Sequence, residues 1–299
     1  MHGRAAFISG GASGIGLGIA KALLGADMRV VVADMRRENL DQAREELRLH
    51  GERVHFLQLD VTDRESMHAA ADHVESTVGK LHVLCANAGV GDIGYLKDAS
   101  YEDWDWVTGV TLGGVINCVA TFLPRMRDHG EAGHIVATSS MAGLLPVNHG
   151  GIYSVAKASV VGMMEALRME LADTPIGVSV LCPGMTRTNI RTTLALRPTK
   201  YRRTDQTAPA PPPADTAGAP PSGPPPDFMQ HAMDPIEIGA KVLRGITRND
   251  LYILTHAEFG AMLQAHFEEI LVAMPPEDPA MRAMGSMMPT PYSTALGRD

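Results

Sequence analysis

Cysteine is scarce in this chain: Cys85, Cys118 and Cys182 are far apart, and none stands in a C-x-x-C pair. An odd, scattered set gives neither a disulfide framework nor a zinc site, so each is expected as a small core hydrophobe, and no metal centre is expected. Positive charge is also short. Lys and Arg number 26 against 34 Asp and Glu, for a net charge of -8, with no dense basic run; this excludes the field that would hold nucleic acid. No apolar run reads as long enough to cross a bilayer, and the start "MHGRAAFISGGASG" reaches a strand-like stretch with no signal-peptide h-region. A soluble, cytoplasmic protein with no membrane partner is expected.

What the chain has in plenty is apolar surface, 45% of 299 residues, ample for a sizeable core. It falls into short runs, "AAFIS", "RVVVAD", "VHFLQLD", "LHVLCAN", "HIVATSS", "GVSVLCP" and "LYILT". These are continuous rather than alternating, as in strands covered on both faces. Between them lie amphipathic stretches such as "RENLDQAREELRLHG", with a Gly after the helical period ends. Strand-helix alternation predicts an α/β fold, a doubly wound Rossmann-type parallel sheet of about seven strands with helices on both faces. One domain is expected over residues 1–273, followed by a C-terminal tail at 274–299.

After the first run comes "SGGASGIG" and then a helical stretch. Gly10, Gly14 and Gly16 allow a tight turn and close approach to a pyrophosphate at a helix N-terminus. The second run ends in Asp34, where a carboxylate accepts from a ribose 2′-hydroxyl and repels a 2′-phosphate, so NAD is expected over NADP. Arg36 and Arg37 follow it, either as exposed helix-start residues or as arms that reach a phosphate. In "GGIYSVAKAS", Tyr153 and Lys157 are four apart and so on one helix face. A phenol is a poor acid or base at neutral pH unless a neighbouring ammonium favours the phenolate. Ser139 and Ser140 end a strand at the carboxyl edge, where open α/β sheets bind ligands.

With these residues in view, the chain resembles the short-chain dehydrogenase/reductase family in its single-domain form. The matches are "SGGASGIG", "LDV" at Leu59 to Val61, "NAG" at Asn87 to Gly89, the serine before Y-x-x-x-K, and "PGMTRT" at Pro183 to Thr188. The resemblance implies an NAD-dependent alcohol dehydrogenase or reductase with Ser140, Tyr153 and Lys157 as catalytic residues. It also implies that Asp60 and Val61 contact the adenine, Asn87 the neighbouring ribose, Lys157 the nicotinamide ribose and Thr188 the carboxamide. Ser13, Ile15, Ala88, Gly89, Pro183, Gly184 and Thr186 complete the cofactor set. Where the family commonly has "VNLxG", this chain reads "VTLGG" with Thr111. That residue's carbonyl is implied in a proton relay beside the lysine, and a threonine retains the carbonyl.

The resemblance places the substrate against Ser140, against Ile93 and Tyr95 after the NAG loop, and against Leu145 and His149. Met185, Leu194 and Met229 are expected to add to it from an insertion at about 189–233 that covers the site. Nine of the chain's 20 prolines stand in its loop at 207–227, expected as an extended, solvated segment. The apolar and aromatic character of the substrate segments points to a hydrophobic secondary alcohol or ketone. "LALRPTKY" and "HAMDPIEIGAKVLRGITRNDLYILTHAEF" are similar to bacterial Cα-dehydrogenases of lignin-derived β-aryl ethers, which implies an aryl-substituted alcohol. A steroid or lipid-derived carbonyl is the alternative substrate, and an NAD-sensing regulator the alternative class. The family resemblance further implies a homodimer or homotetramer built on the helices after Trp104 and Tyr153.

Overall fold

A computed structural model describes residues 1–91, 94–190, 193, 197–203 and 232–278. The seven apolar runs form β1 (Ala5–Ser9), β2 (Arg29–Asp34), β3 (Val54–Gln58), β4 (Leu81–Ala86), β5 (Gly133–Thr138), β6 (Ile176–Cys182) and β7 (Tyr252–Leu254). All pair in parallel, in the order β3-β2-β1-β4-β5-β6-β7. The helices are α1 (Gly14–Gly25), α2 (Arg37–Leu47), α3 (Arg64–Val78), α4 (Tyr101–Thr108), α5 (Gly114–Asp128), α6 (Gly151–Glu170), α7 (Pro235–Arg248) and α8 (Gly260–Val272).

The five central strands lack polar alternation because both their faces are buried. In β1, Ala5 and Phe7 face a core shared with Val31, Leu84 and the α5 residue Phe122, while Ala6 and Ile8 face a second core with Val32, Val136 and the α1 residue Ile19. Helices α3, α5 and α6 cover the first; α1, α2 and α7 cover the second. On the second side two glycines touch: a Cβ on Gly18 would lie 2.0 Å from Pro235 O, and one on Gly239 would lie 2.0 Å from Gly18 O. The three cysteines are core hydrophobes, their thiols pushed up to about 12 by burial.

Helices α4 and α5 join through a π-helical turn, Gly109–Gly113, into one run, Tyr101–Asp128, whose length and apolar content would suit a bilayer. This corrects the expectation that no such run exists, because polar residues such as Asn117 and Thr121 interrupt the sequence pattern without interrupting the helix. Half of its most apolar window is buried in the fold, and it is a core helix. Further along, an isolated parallel bridge joins Thr186 to Met233. Met233 N donates to Met185 O at 2.9 Å and Arg187 N to Met233 O at 3.0 Å.

Between β5 and β6, His134 Nε2 stands 2.7 Å from Ser179 Oγ, whose hydroxyl donates to Asp250 O at 2.5 Å. Burial, helped by the Arg168 charge, pulls the imidazole from 6.5 down to about 3. The unfolded chain therefore binds a proton in that window that the native chain does not, and stability falls as pH drops from 6.5 towards 3. Urea unfolding is expected to register a loss on the order of 2 kcal/mol from this group between about pH 6.5 and 4.5, absent from His134→Gln; identical pH slopes in the two proteins would contradict it.

Candidate functional site

Strand order reverses between β1 and β4, and ligands of open α/β sheets bind in the crevice at that point, beyond the carboxyl ends of the strands. The glycine loop there is shaped by contact. Gly10 has φ 61°, and a Cβ on it would stand 2.8 Å from Ala88 Cα; a Cβ on Gly16 would stand 2.1 Å from Gly10 O. Ser9 Oγ accepts the N–H groups of Asn87 and Ala88 at 3.0 and 3.2 Å, and Asn87 Nδ2 donates to Gly10 O at 3.1 Å. Helix α1 starts with no side-chain cap from Ser13, so its first-turn N–H groups can meet an anion.

The crevice opens into a cleft of about 240 Å³ that runs from Asp34 past Gly10, Ser13, Gly14 and Ile15 to Tyr153 and Lys157. Asp60, Val61, Asn87, Ala88, Gly89, Pro183 and Thr188 stand in the same wall. Among the cofactor residues expected from the sequence, Gly16, Gly184 and Thr186 do not line it. Gly16 lies beneath the loop. Gly184 N donates to Thr255 Oγ1 and His256 Nδ1, both at 3.2 Å, towards the end of β7, and Thr186 is held in the bridge to Met233. At the far end Asp34 is 8% exposed. Burial raises its carboxyl, opposed by Arg36 N at 3.0 Å and Asn39 Nδ2 at 3.4 Å, both donating to Oδ1. Arg36 lines the cleft beside it, whereas the Arg37 side chain is exposed and 4.0 Å from Asp41.

At the other end Lys157 is 2% exposed and donates from Nζ to Thr138 O at 2.7 Å. Burial pulls its ammonium down to about 8. Nζ lies 5.6 Å from the Tyr153 ring centroid. Burial pushes the Tyr153 phenol up, opposed by the neighbouring Ser140 hydroxyl. The adjacent serines part company. Ser140 Oγ accepts Ala142 N–H at 3.1 Å and donates to Pro183 O at 3.5 Å, while Ser139 Oγ donates to Lys157 O at 2.7 Å and so fixes the α6 backbone. Thr111 sits in the π-helical turn, fully buried, with Oγ1 accepting Val90 N–H at 3.3 Å. The threonine hydroxyl thus bonds the NAG-loop backbone from inside the helix distortion.

Of the expected substrate residues, Tyr95 and His149 come together, their rings 3.9 Å apart beside the Gly94–Gly150 bridge. Leu145 packs against the first core, and Met185 O accepts from His256 Nε2 at 3.1 Å. Ile93, Leu194, Met229 and the loop at 207–227 lie outside the described residues. The sequence reading missed Thr138, Trp106, Pro198 and Tyr201, which line the cleft; Pro198 and Tyr201 belong to "LALRPTKY", the one available signal. No group of His, Cys, Asp or Glu among the described residues is arranged to hold a metal.

Residues 4–198 match the family model described as short chain dehydrogenase. The chain is 37% identical, over 98% of its length and 93% of the other's, to a protein named C alpha-dehydrogenase from Sphingobium sp. (strain NBRC 103272 / SYK-6). A short-chain dehydrogenase/reductase from Burkholderia phymatum, solved in complex with NAD, superposes with a TM-score of 0.81 at 33% identity, over 93% of this chain and 98% of that one. The LigD apo form from Sphingobium sp. strain SYK-6 gives 0.75 at 34% identity, over 92% and 99%. With a seven-stranded parallel sheet, a glycine-bounded cleft at its switch point and these likenesses, the chain belongs to the short-chain dehydrogenase family, enzymes that act on CH–OH groups.

Proposed function

We propose that the protein is an NAD-dependent dehydrogenase that interconverts a hydrophobic, aryl-substituted secondary alcohol and its ketone. The observation that carries this reading is the single cleft with Asp34 at one end and Tyr153 with Lys157 at the other. The glycine loop fits a pyrophosphate, because Gly10 and Gly14 line the cleft without side chains and the first-turn N–H groups of α1 have no side-chain cap. Bound there, the nicotinamide supplies the hydride acceptor in oxidation and the donor in reduction.

The chain's own groups handle the proton. In oxidation the Tyr153 phenolate takes the proton of the substrate hydroxyl while Ser140 Oγ holds the same oxygen; in reduction the phenol returns that proton to the forming alkoxide. Lys157, anchored on Thr138 O, supplies fixed positive charge beside the phenol. Likeness to the Sphingobium C alpha-dehydrogenase over nearly the whole chain supports the aryl substrate, and the adjoining, mutually tilted Tyr95 and His149 rings offer it an aromatic rim. Exposed Tyr101, Ile116 and Val155 support assembly into a dimer or tetramer through α4, α5 and α6.

The deciding assay follows NADH formation with aryl-alkyl carbinols, hydroxysteroids and aliphatic secondary alcohols. The carbinols are expected to give the highest kcat/KM. A preference for the steroids overturns the substrate, and cofactor binding without turnover of any alcohol overturns the enzyme. Asp34→Ala is expected to shift the ratio of kcat/KM for NADP over NAD upwards by roughly tenfold or more; an unchanged ratio removes Asp34 from cofactor choice.

A further inference from the structure

Asp103, in the first turn of α4, is 2% exposed and carries an unusual load. Its Oδ2 accepts Ser100 N–H at 2.8 Å while Ser100 Oγ accepts Asp103 N–H, a reciprocal cap. The same carboxylate binds the guanidinium groups of both Arg197 and Arg203. Burial alone would push this carboxyl up, but the bonds from Arg203, the Ser100 N–H and Arg197 outweigh it and hold the group well below the usual carboxylate range. Arg197 is buried to the same depth, its side chain 8% exposed and its guanidinium 5.2 Å from the Trp106 ring. Among the described residues, its Nε and Nη2 have no acceptor. A buried ion pair with unmet donors adds little net stability compared with apolar packing. What such a pair does supply is a fixed position.

The chain between the two arginines crosses the cofactor cleft. Pro198 and Tyr201 line it, and Tyr201 packs in the cluster of Trp106 and Val110 on the α4 side. Lys200 Nζ reaches the opposite wall, 3.4 Å from Thr62 Oγ1 and 3.8 Å from Asp60 Oδ2, at the end of β3. We propose that residues 197–203 are a strap across the bound dinucleotide, and that Asp103, which lines no part of the cleft itself, is the positioning residue that fastens it. The proposal rests on reading the cleft as the NAD site. Departure of the dinucleotide past Pro198 and Tyr201 requires the strap to lift, so the clamp acts on the dissociation rate.

The test is stopped-flow dissociation of NADH from the full-length protein, followed by cofactor fluorescence, in four forms: wild type, Asp103→Asn, the double variant Arg197→Gln/Arg203→Gln, and Ser100→Ala. Asp103→Asn and the double variant are expected to release NADH about tenfold faster, with KM for NAD raised and kcat unchanged or higher. Ser100→Ala removes a cap bond and spares the clamp; its Tm is expected to fall with NADH release unchanged. The double variant keeps the α4 cap, so it reports on the strap even if Asp103→Asn folds poorly. Unchanged release from the double variant overturns the proposal, as does equally fast release from Ser100→Ala. A wild-type chain that binds neither NADH nor NADPH overturns the cofactor reading itself, and the strap with it.

Discussion

Tyr153→Phe is expected to slow turnover roughly a thousandfold, while NADH binds as tightly as it does to the wild type. The substitution removes one oxygen and leaves the ring in α6 above Lys157 Nζ. That oxygen is the group proposed to exchange a proton with the substrate, and its residue lines the cleft together with Lys157. Because burial lifts the phenol, the phenolate fraction grows as pH rises above 7. Oxidation is therefore expected to accelerate with pH and reduction to slow. Lys157, pulled only to about 8, is still a cation at neutral pH. Steady-state rates in both directions and an NADH fluorescence titration measure the two effects separately; residual activity above about a tenth of wild type would remove Tyr153 from the chemistry.

Gly18→Ala is expected to destabilise the fold by at least about 3 kcal/mol, a large share of the roughly 5–15 kcal/mol that holds a typical domain together. The new Cβ would lie 2.0 Å from Pro235 O, a main-chain atom at the start of α7, so no side-chain rotation relieves it. Helix α7 must move off α1, and with it goes the burial of Ile238, Val242 and Ile246. Gly162 supplies the contrast. It lies in α6 with nothing within 4 Å of where a Cβ would stand, so Gly162→Ala is expected to stabilise by about 0.5–1 kcal/mol. Urea titrations of both variants distinguish contact from intrinsic helix preference. Equal shifts of the same sign would show that the α1–α7 approach is not what requires glycine.

The sheet was legible because its information is local: each strand is a short, mostly apolar run, and the central ones are buried on both faces. "LYILT" is instructive, since only Tyr252–Leu254 pairs as β7, while Leu251 O accepts Val180 N–H of β6 just before it and Thr255 Oγ1 accepts Gly184 N–H from a loop just after it. The glycine loop, Asp34, and the Tyr153 and Lys157 spacing were legible for the same reason, each lying within one strand-to-helix turn or one helical turn. What the sequence hid is long-range or environmental. The Asp103 clamp joins residues 94 and 100 positions apart, and no spacing rule reaches that far. The upward shift of the Tyr153 phenol depends on how much solvent the fold removes, which no motif records. The two adjacent serines differ in environment too: Ser139 Oγ donates to the α6 backbone at Lys157 O, whereas Ser140 Oγ accepts Ala142 N–H just beyond β5.

The Thr186–Met233 bridge closes a neck. Everything the chain does between those two residues begins and ends at a pair of points held one hydrogen-bonded step apart, with α7 starting immediately after. The entropy of closing such an excursion grows only with the logarithm of its length, about 0.6 kcal/mol per doubling. A change of chain length inside the neck, away from the Asp103 clamp, therefore costs the sheet almost nothing.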